Sequence, residues 1–196
     1  MRHITQAGLD LIARWEGCRL DAYQDVVGVW TIGYGHTPAV PGAQIDEAEA
    51  LSLLRNDVAL AEQAIDAATS VVQTTDDQFS AMVSLTFNIG AGAFRSSSVL
   101  RNHTLARHVE AAASFLLWDK VHVDGELQVV PGLLKRREQE RDLYISGSSY
   151  VTPIIPTAKD LQAALAALGL YTGQTDGLWG PLSQMALTAY YLRPTT

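Results

Sequence analysis

Apolar residues recur every three or four positions through most of this chain, and this spacing predicts a mainly helical fold. The clearest run is Leu51, Leu54, Val58, Ala61 and Ile65. It follows the segment 46–49, Asp-Glu-Ala-Glu, which is typical of a helix start because acidic side chains interact favourably with the positive end of the helix dipole. About 20 residues of helix span roughly 30 Å, so this segment is long enough to link two lobes of one domain.

Helices are also predicted on both sides of this segment. Thr5 can cap a first helix, with Ile4 placed to contact Leu9 across the cap. Thr75 followed by Gln78 is a capping-box signature and predicts another helix start. Three more helices are predicted, from Ser98, from His103 to Trp118, and from Pro131 to Tyr144.

One segment departs from the helical pattern. Between Val26 and Gly35, β-branched and aromatic residues alternate with glycines, which predicts a short antiparallel sheet with tight turns. The fold class is therefore predicted to be α+β and mainly helical, with a small sheet near the N-terminus and a helical lobe after it.

The C-terminal quarter of the chain predicts a separate helical module. Ser146-Gly147-Ser148-Ser149 and the prolines at 153 and 156 are typical of a linker. After it, an apolar helical repeat ends at Gly169, and Asp176-Gly177 supplies a turn before a last helix. We therefore divide the chain into a domain of residues 1–145, a linker of residues 146–157 and a module of residues 158–196.

Composition narrows the class of protein. Hydrophobic residues make up 47% of the 196 residues, with four Trp and seven Tyr, which is enough for a buried core. There is no run of 18 or more apolar residues, and residues 1–5 do not begin a signal peptide or signal-anchor. We therefore expect no stable membrane insertion, synthesis in the cytosol and a monomer.

The net charge of −7 lies on residues 1–145, since Lys159 and Arg193 balance Asp160 and Asp176 after them. This acidity disfavours binding of nucleic acid by a basic face.

Glu16 and Asp25 lie in unlike settings, as the two carboxylates of a glycosidase require. Glu16 follows Trp15 at the end of an apolar helical segment, so burial is expected to raise its pKa above the usual value of about 4.3 and to keep it protonated. Asp25 lies in a polar turn and is expected to stay ionised. Carboxylates about 6.5–9.5 Å apart leave room for a water and give inversion, whereas about 5–5.5 Å gives retention.

The spacing of Glu16, Asp25 and Thr31, with the run TIGYGHT at 31–37, resembles the phage lysozymes of glycoside hydrolase family 24. The resemblance covers roughly residues 4–145. Further matching motifs are Phe87-Asn88-Ile89-Gly90, the stretch from Phe94 to Asn102, Trp118, and Gly132 to Arg137 with Glu140.

The resemblance implies a two-lobe lysozyme-like fold and an inverting mechanism. Glu16 would be the general acid, and Asp25 and Thr31 would hold the attacking water. The activity implied is that of a phage endolysin, which hydrolyses the β-1,4 bond between N-acetylmuramic acid and N-acetylglucosamine and causes host cell lysis. Such an enzyme stays in the host cytoplasm until lysis and then acts in the periplasm on the cell wall. No cofactor or metal is implied.

Residues along the sugar-binding cleft follow from the same resemblance. Tyr34, Asn88 and Gly90 are expected to contact the substrate. His36 is either a further site group or a structural residue behind the sheet. Arg137 aligns with a recurrent arginine of the family and is expected to order the site.

Residues 158–196 resemble a peptidoglycan-binding module, with the patterns LQxxLxxLG and DGxxG. The other interpretation of this segment is a helical hairpin that only packs against the main domain.

Two rival functions remain open. A lytic transglycosylase uses one acid/base Glu and no water, which would leave Asp25 and Thr31 without a role. A catalytically inactive wall-binding protein is the alternative from another class.

Cys18 is the only cysteine, so an intramolecular disulfide is excluded. It is interpreted either as a reactive thiol or as a small side chain packed behind the acid.

Overall fold

The computed structural model describes residues 2–123, 126–146, 157–178 and 180–191. The chain divides into two compact units, Met1–Ser149 and Tyr150–Thr196. The division falls inside the predicted linker, most of which, residues 147–156, lies outside the described residues.

The first unit begins with helix α1 (Gln6–Glu16), whose N-cap is Thr5. The Thr5 hydroxyl accepts a hydrogen bond from the backbone N–H of Gly8, which confirms the predicted cap. Helix α1 ends because Gly17 has a φ of 70°, a backbone conformation that glycine adopts readily. Glu16 is therefore the last residue of this helix.

A β-hairpin follows, formed by β1 (Arg19–Gln24) and β2 (Trp30–Gly33). The strands are antiparallel, and Tyr23 lies opposite Thr31. The predicted sheet is thus present, but it begins earlier than expected, because Val26–Val29 form the turn and not a strand. The turn is fixed by the side chain of Asp25 and by a φ of 83° at Gly28.

The long predicted helix is divided into α2 (Glu47–Asp57) and α3 (Ala59–Ala68). Its acidic start is confirmed, since Asp46 caps α2 by accepting the N–H of Glu49. The division at Val58 is slight: this residue keeps a right-handed helical backbone, and its N–H still donates to the Leu54 carbonyl at 3.0 Å. Because α2 contacts β2 and α3 contacts the helical part, this segment connects the sheet to the helices.

The helical part is built on α4 (Asp76–Ile89), in which nine residues are buried. Thr75 and Gln78 form both hydrogen bonds of the predicted capping box. The elements after it are α5 (Ala91–Arg95), α6 (Ser98–Thr104), α7 (His108–Phe115), a 3-10 turn (Leu116–Trp118), the hairpin β3 (Lys120–Val123) and β4 (Glu126–Val129), and α8 (Pro131–Ser146). Helices α4 and α8 pack against each other.

The predicted single helix from His103 to Trp118 is wrong. Helix α6 ends at Thr104, and Ala106 has a φ of 55°, which a continuing α-helix does not allow. The β3–β4 hairpin that follows was not predicted.

One core holds this unit together, built from the apolar faces of helices α1 to α8. His103 and Tyr144 lie in it fully buried, and His103 Nδ1 is 2.6 Å from the Tyr144 hydroxyl. Burial, with His108 and Arg2 nearby, lowers the pKa of His103 to about 4. A neutral His103 therefore forms part of the core at pH 7.

The second unit contains α9 (Ala158–Ala167) and α10 (Pro181–Tyr191), the two helices predicted for the tail. Leu165, Tyr171 and Ala186 form a small core of its own. Gln162 of the second unit is fully buried. Its side-chain NH₂ group donates to the Leu178 carbonyl and to Ser183 Oγ, and its side-chain oxygen accepts the backbone N–H of Gly177. Trp179 lies outside the described residues.

Within the described ranges, none of the helices is both long and apolar enough to cross a membrane.

Candidate active site

Glu16 is held by an ion pair at the end of α1. Its Oε1 lies 2.8 Å from Nη1 of Arg136, a residue of α8 that is almost fully buried. The Glu16 side chain is 27% exposed. The burial expected for Glu16 is thus incomplete in the free protein.

Asp25 closes the turn of the β1–β2 hairpin with one carboxylate oxygen. Oδ1 accepts the backbone N–H groups of Val27 at 2.9 Å and Val29 at 2.8 Å. In the described part of the chain, no hydrogen bond engages Oδ2. The carboxylate is therefore fixed in orientation while one oxygen keeps its lone pairs.

Thr31 and Asp25 both bind Val29. The Thr31 hydroxyl donates to the carbonyl of Val29 at 3.0 Å, and this carbonyl also accepts the N–H of Asp25 at 2.9 Å. Since its one proton is used in this bond, the hydroxyl can act towards a further partner only as an acceptor. Thr31 is buried, with 4% of its surface exposed. The structure thus brings Asp25 and Thr31 together through Val29.

A buried network of charges connects Glu16 to two helices. Glu140 of α8 is fully buried and its Oε1 accepts from Arg136 Nε at 3.2 Å and from Ser84 Oγ of α4 at 2.8 Å. Its Oε2 lies 2.9 Å from Nε of Arg137. Arg136 therefore binds Glu140 and Glu16 at the same time, so that the position of Glu16 depends on α8.

Burial disfavours the charged forms of the residues in this network, whereas the ion pairs of Glu140 favour its charged form. Burial raises the pKa of Glu140, while Arg137 and Arg136 lower it. Burial also lowers the pKa of Arg137. The ion pairs with Arg136 and Arg137 favour the charged form of Glu140 against the cost of its burial.

Arg136 is the residue at this site that sequence reasoning missed. Arg136 and Arg137 both form ion pairs with Glu140 of the same helix. Arg136 also contacts Glu16, which lies 120 positions away in the sequence. No local sequence signal reports such a contact.

The residues expected along the sugar-binding cleft lie in several elements. Asn88, at the C-terminal end of α4, is exposed and accepts a hydrogen bond from Arg137 Nη2 at 3.1 Å. Gly90 ends α4 with a φ of 86°. Arg137 has no exposed side-chain surface, so it acts on this region through Asn88 and does not touch a ligand itself.

Tyr34 and His36 lie in the tight turn after β2. Tyr34 packs against the core, and burial, with Cys18 nearby, raises its pKa. His36 Nδ1 lies 2.9 Å from Asp57 Oδ1 at the end of α2, in agreement with the structural interpretation of this histidine. This contact ties the turn to α2.

Cys18 corrects the interpretation of a thiol packed behind the acid. It is exposed, in the two-residue connection between α1 and β1. Because Gly17 turns the chain out of the helix, the side chain two positions after Glu16 faces solvent and not the core.

In the described ranges, no group of three or more His, Cys, Asp and Glu side chains has an arrangement that could hold a metal ion.

The segment of residues 16–25, which we call the helix-to-hairpin segment, begins with Glu16 at the end of α1 and ends with Asp25 after β1. A small hairpin followed by a mainly helical lobe, with a carboxylate at each end of this segment, is the architecture of a lysozyme-like glycosidase. The family model for phage lysozymes matches residues 13–140. The chain belongs to the phage lysozyme family and is a glycoside hydrolase, a muramidase.

Similar proteins match about three quarters of this chain. The endolysin of Acyrthosiphon pisum secondary endosymbiont phage 1 is 41% identical over 145 residues, which are 74% of this chain and 99% of that protein. The endolysin of Salmonella phage P22 is 38% identical over 152 residues, 74% of this chain and all of that protein. Among solved structures, the muramidase domain of SpmX from Asticaccaulis excentricus is 38% identical with a TM-score of 0.69, and the match covers 74% of this chain and 99% of that one.

Proposed function

We propose that this protein is an endolysin that hydrolyses the β-1,4 bond between N-acetylmuramic acid and N-acetylglucosamine in peptidoglycan. Glu16 is the general acid, and Asp25 and Thr31 position the attacking water. The observation that carries this proposal is the shared binding of Asp25 and Thr31 to Val29, which gives the hairpin two acceptor oxygens, Asp25 Oδ2 and Thr31 Oγ1.

The two acceptors suit a single water molecule. Asp25 Oδ2 and Thr31 Oγ1 each offer lone pairs, so a water that donates one proton to each keeps its own lone pairs free. Such a water is oriented for attack on the anomeric carbon of the muramic acid. As the new C1–O bond forms, Asp25 takes the proton of the water, and the product has inverted configuration.

Glu16 acts on the other side of the same bond. The C1–O bond to the leaving sugar breaks while Glu16 gives its proton to the leaving oxygen, so that each carboxyl group transfers one proton in the step. The ion pair with Arg136 orients the carboxyl group. Binding of the glycan over Glu16 would cover its exposed fraction and exclude water from the acid.

Tyr34, Asn88 and Gly90 are proposed to contact the sugars on either side of the cleaved bond. The exposed amide of Asn88 and the half-buried phenol of Tyr34 are hydrogen-bonding groups of the kind that recognise sugar hydroxyls and N-acetyl groups. His36 holds the turn that carries Tyr34 through its contact with Asp57, and Arg137 holds Asn88 through a hydrogen bond.

The product of the reaction tests this proposal. Mass spectrometry of purified peptidoglycan after digestion should show strands that end in reducing muramic acid, and Glu16→Gln should abolish their release. Anhydro-muramic ends would instead identify a transglycosylase, in which Asp25 and Thr31 have no water to hold. Sedimentation with the wall without any released product would make the protein a wall-binding protein.

Residues 158–196 are proposed to bind the wall and so to raise the local concentration of the catalytic domain on its substrate. The separate core of this segment supports the proposal, because a segment with its own core does not need the first unit to bury its apolar residues. We further propose that the protein is a monomer, binds no nucleic acid, does not insert into membranes, and stays in the host cytoplasm until lysis.

Removal of residues 147–196 is expected to weaken sedimentation with purified cell walls at least about tenfold, because binding through two sites becomes binding through one. Cleavage of short soluble glycans should change less than about twofold. Ser146 is kept because it is the last residue of α8 and its hydroxyl donates to Asp77. If the shortened protein unfolds at a much lower urea concentration, the segment only packs against the main domain, and the proposed binding role is wrong.

A further inference from the structure

The turn of the β1–β2 hairpin exposes two adjacent valines. Val26 is 104% exposed and Val27 is 78% exposed, whereas tight turns ordinarily carry Gly, Asn, Asp, Ser or Pro. The turn uses the backbone of Val27 and not its side chain, since Val27 N–H binds Asp25. Neither valine side chain is therefore explained by the fold.

These two side chains are held next to the catalytic carboxylate. They directly follow Asp25, so their Cα atoms lie within about 4–7 Å of its Cα. Four hydrogen bonds fix the turn: Asp25 Oδ1 accepts from Val27 N and Val29 N, Asp25 N donates to Val29 O, and Gly28 N donates to Asp25 O. The valines thus present a preformed apolar surface in the same turn as the carboxylate that is proposed to hold the water.

The chemistry of the substrate indicates what this surface binds. Sugar hydroxyl groups and the N–H and C=O of the N-acetyl group gain nothing from an aliphatic side chain, and the N-acetyl methyl group is common to both sugars, so it does not distinguish them. N-acetylmuramic acid, however, differs from N-acetylglucosamine by a lactyl ether with a peptide that begins with alanine, and both additions carry a methyl group. In the proposed reaction this sugar provides the attacked anomeric carbon, so its substituents lie close to Asp25.

We propose that Val26 and Val27 bind the methyl groups of the peptidyl-lactyl substituent and so select peptide-bearing muramic acid. This inference rests on the proposed function of the site. A second copy of the chain is the less suitable occupant of the valine pair, because two chains of net charge −7 repel each other.

The double variant Val26→Thr, Val27→Thr tests the inference, because Thr keeps the shape and the backbone N–H but replaces one methyl group by a hydroxyl. Val71→Thr is the matched control, since Val71 is 93% exposed in the connection between α3 and α4. Each variant is assayed on soluble glycan strands that carry peptides and on the same strands after an amidase has removed them.

The double variant is expected to lower kcat/KM on peptide-bearing strands about five- to tenfold, mainly through KM, with a clearly smaller loss on stripped strands. The control should leave both values unchanged, and all variants should unfold at the same urea concentration.

Three results would overturn the inference. Unchanged kcat/KM on both substrates means that the valines do not touch the substrate. An equal loss on both means that they act only on the catalytic turn. Unchanged kinetics with a smaller sedimentation coefficient means that the pair binds a second copy. In each of these cases wild-type protein still releases reducing muramic acid, whereas failure of the proposed function removes that release as well.

Discussion

Asp25→Asn is expected to lower kcat on peptidoglycan by about 10²–10⁴-fold, the usual contribution of a general base. The amide oxygen can still accept the N–H groups of Val27 and Val29, so the turn keeps its shape. What is lost is the ability of the second carboxylate oxygen to take a proton from the water. The loss is measured as initial rates of clearing of purified cell walls, with urea unfolding as the check of the fold.

Cys18→Ser is the matched control for Asp25→Asn, because the cysteine belongs to the same helix-to-hairpin segment but is exposed and, in our proposal, has no catalytic part. Its rate should lie within about twofold of wild type. Equal losses in the two variants would show that the thiol takes part in the reaction. Full activity of Asp25→Asn would remove Asp25 from the mechanism.

Glu140→Gln is expected to lower the free energy of unfolding by about 3–5 kcal/mol, the cost of removing one member of a buried ion pair. Glu140 is fully buried between the guanidinium groups of Arg136 and Arg137, and glutamine has no negative charge to balance them. The same variant should lower activity, since Arg136 would lose the partner that holds it next to Glu16.

Glu138→Gln is the control on the same helix, because Glu138 is exposed. It should change the free energy of unfolding by less than about 0.5 kcal/mol. Urea unfolding of both variants at pH 7 measures the difference. A similar small effect of the two substitutions would mean that Glu140 contributes no more than a surface ion pair.

The parts of the fold that sequence reasoning predicted are those set by local chemistry. Thr5 and the Thr75–Gln78 box fix two helix starts through bonds three residues apart, and both are present. The hairpin of residues 120–129 was missed although its signal is local too: polar and apolar residues alternate on both sides of Asp124-Gly125.

Other features depend on contacts that lie far apart in the sequence. The positive φ of Ala106 interrupts the helix predicted from His103 to Trp118, and no Gly or Pro stands at this point in the sequence. The ion pair between Arg136 and Glu16 arises only when α8 packs on α1. For the candidate site, the spacing therefore identified the three residues of the proposed chemistry, but not the residue that holds the acid.

In the hairpin turn, the groups that orient Asp25 and Thr31 differ from the groups that form the exposed surface. The orientation of Asp25 and Thr31 is set by the peptide groups of residues 27 and 29, which nearly every amino acid possesses. The side chains at positions 26 and 27 take no part in that orientation. In the proposed mechanism, mutation can therefore change the side chains displayed near the attacking water while the groups proposed to hold that water stay in place, so that substrate preference can drift without loss of catalysis.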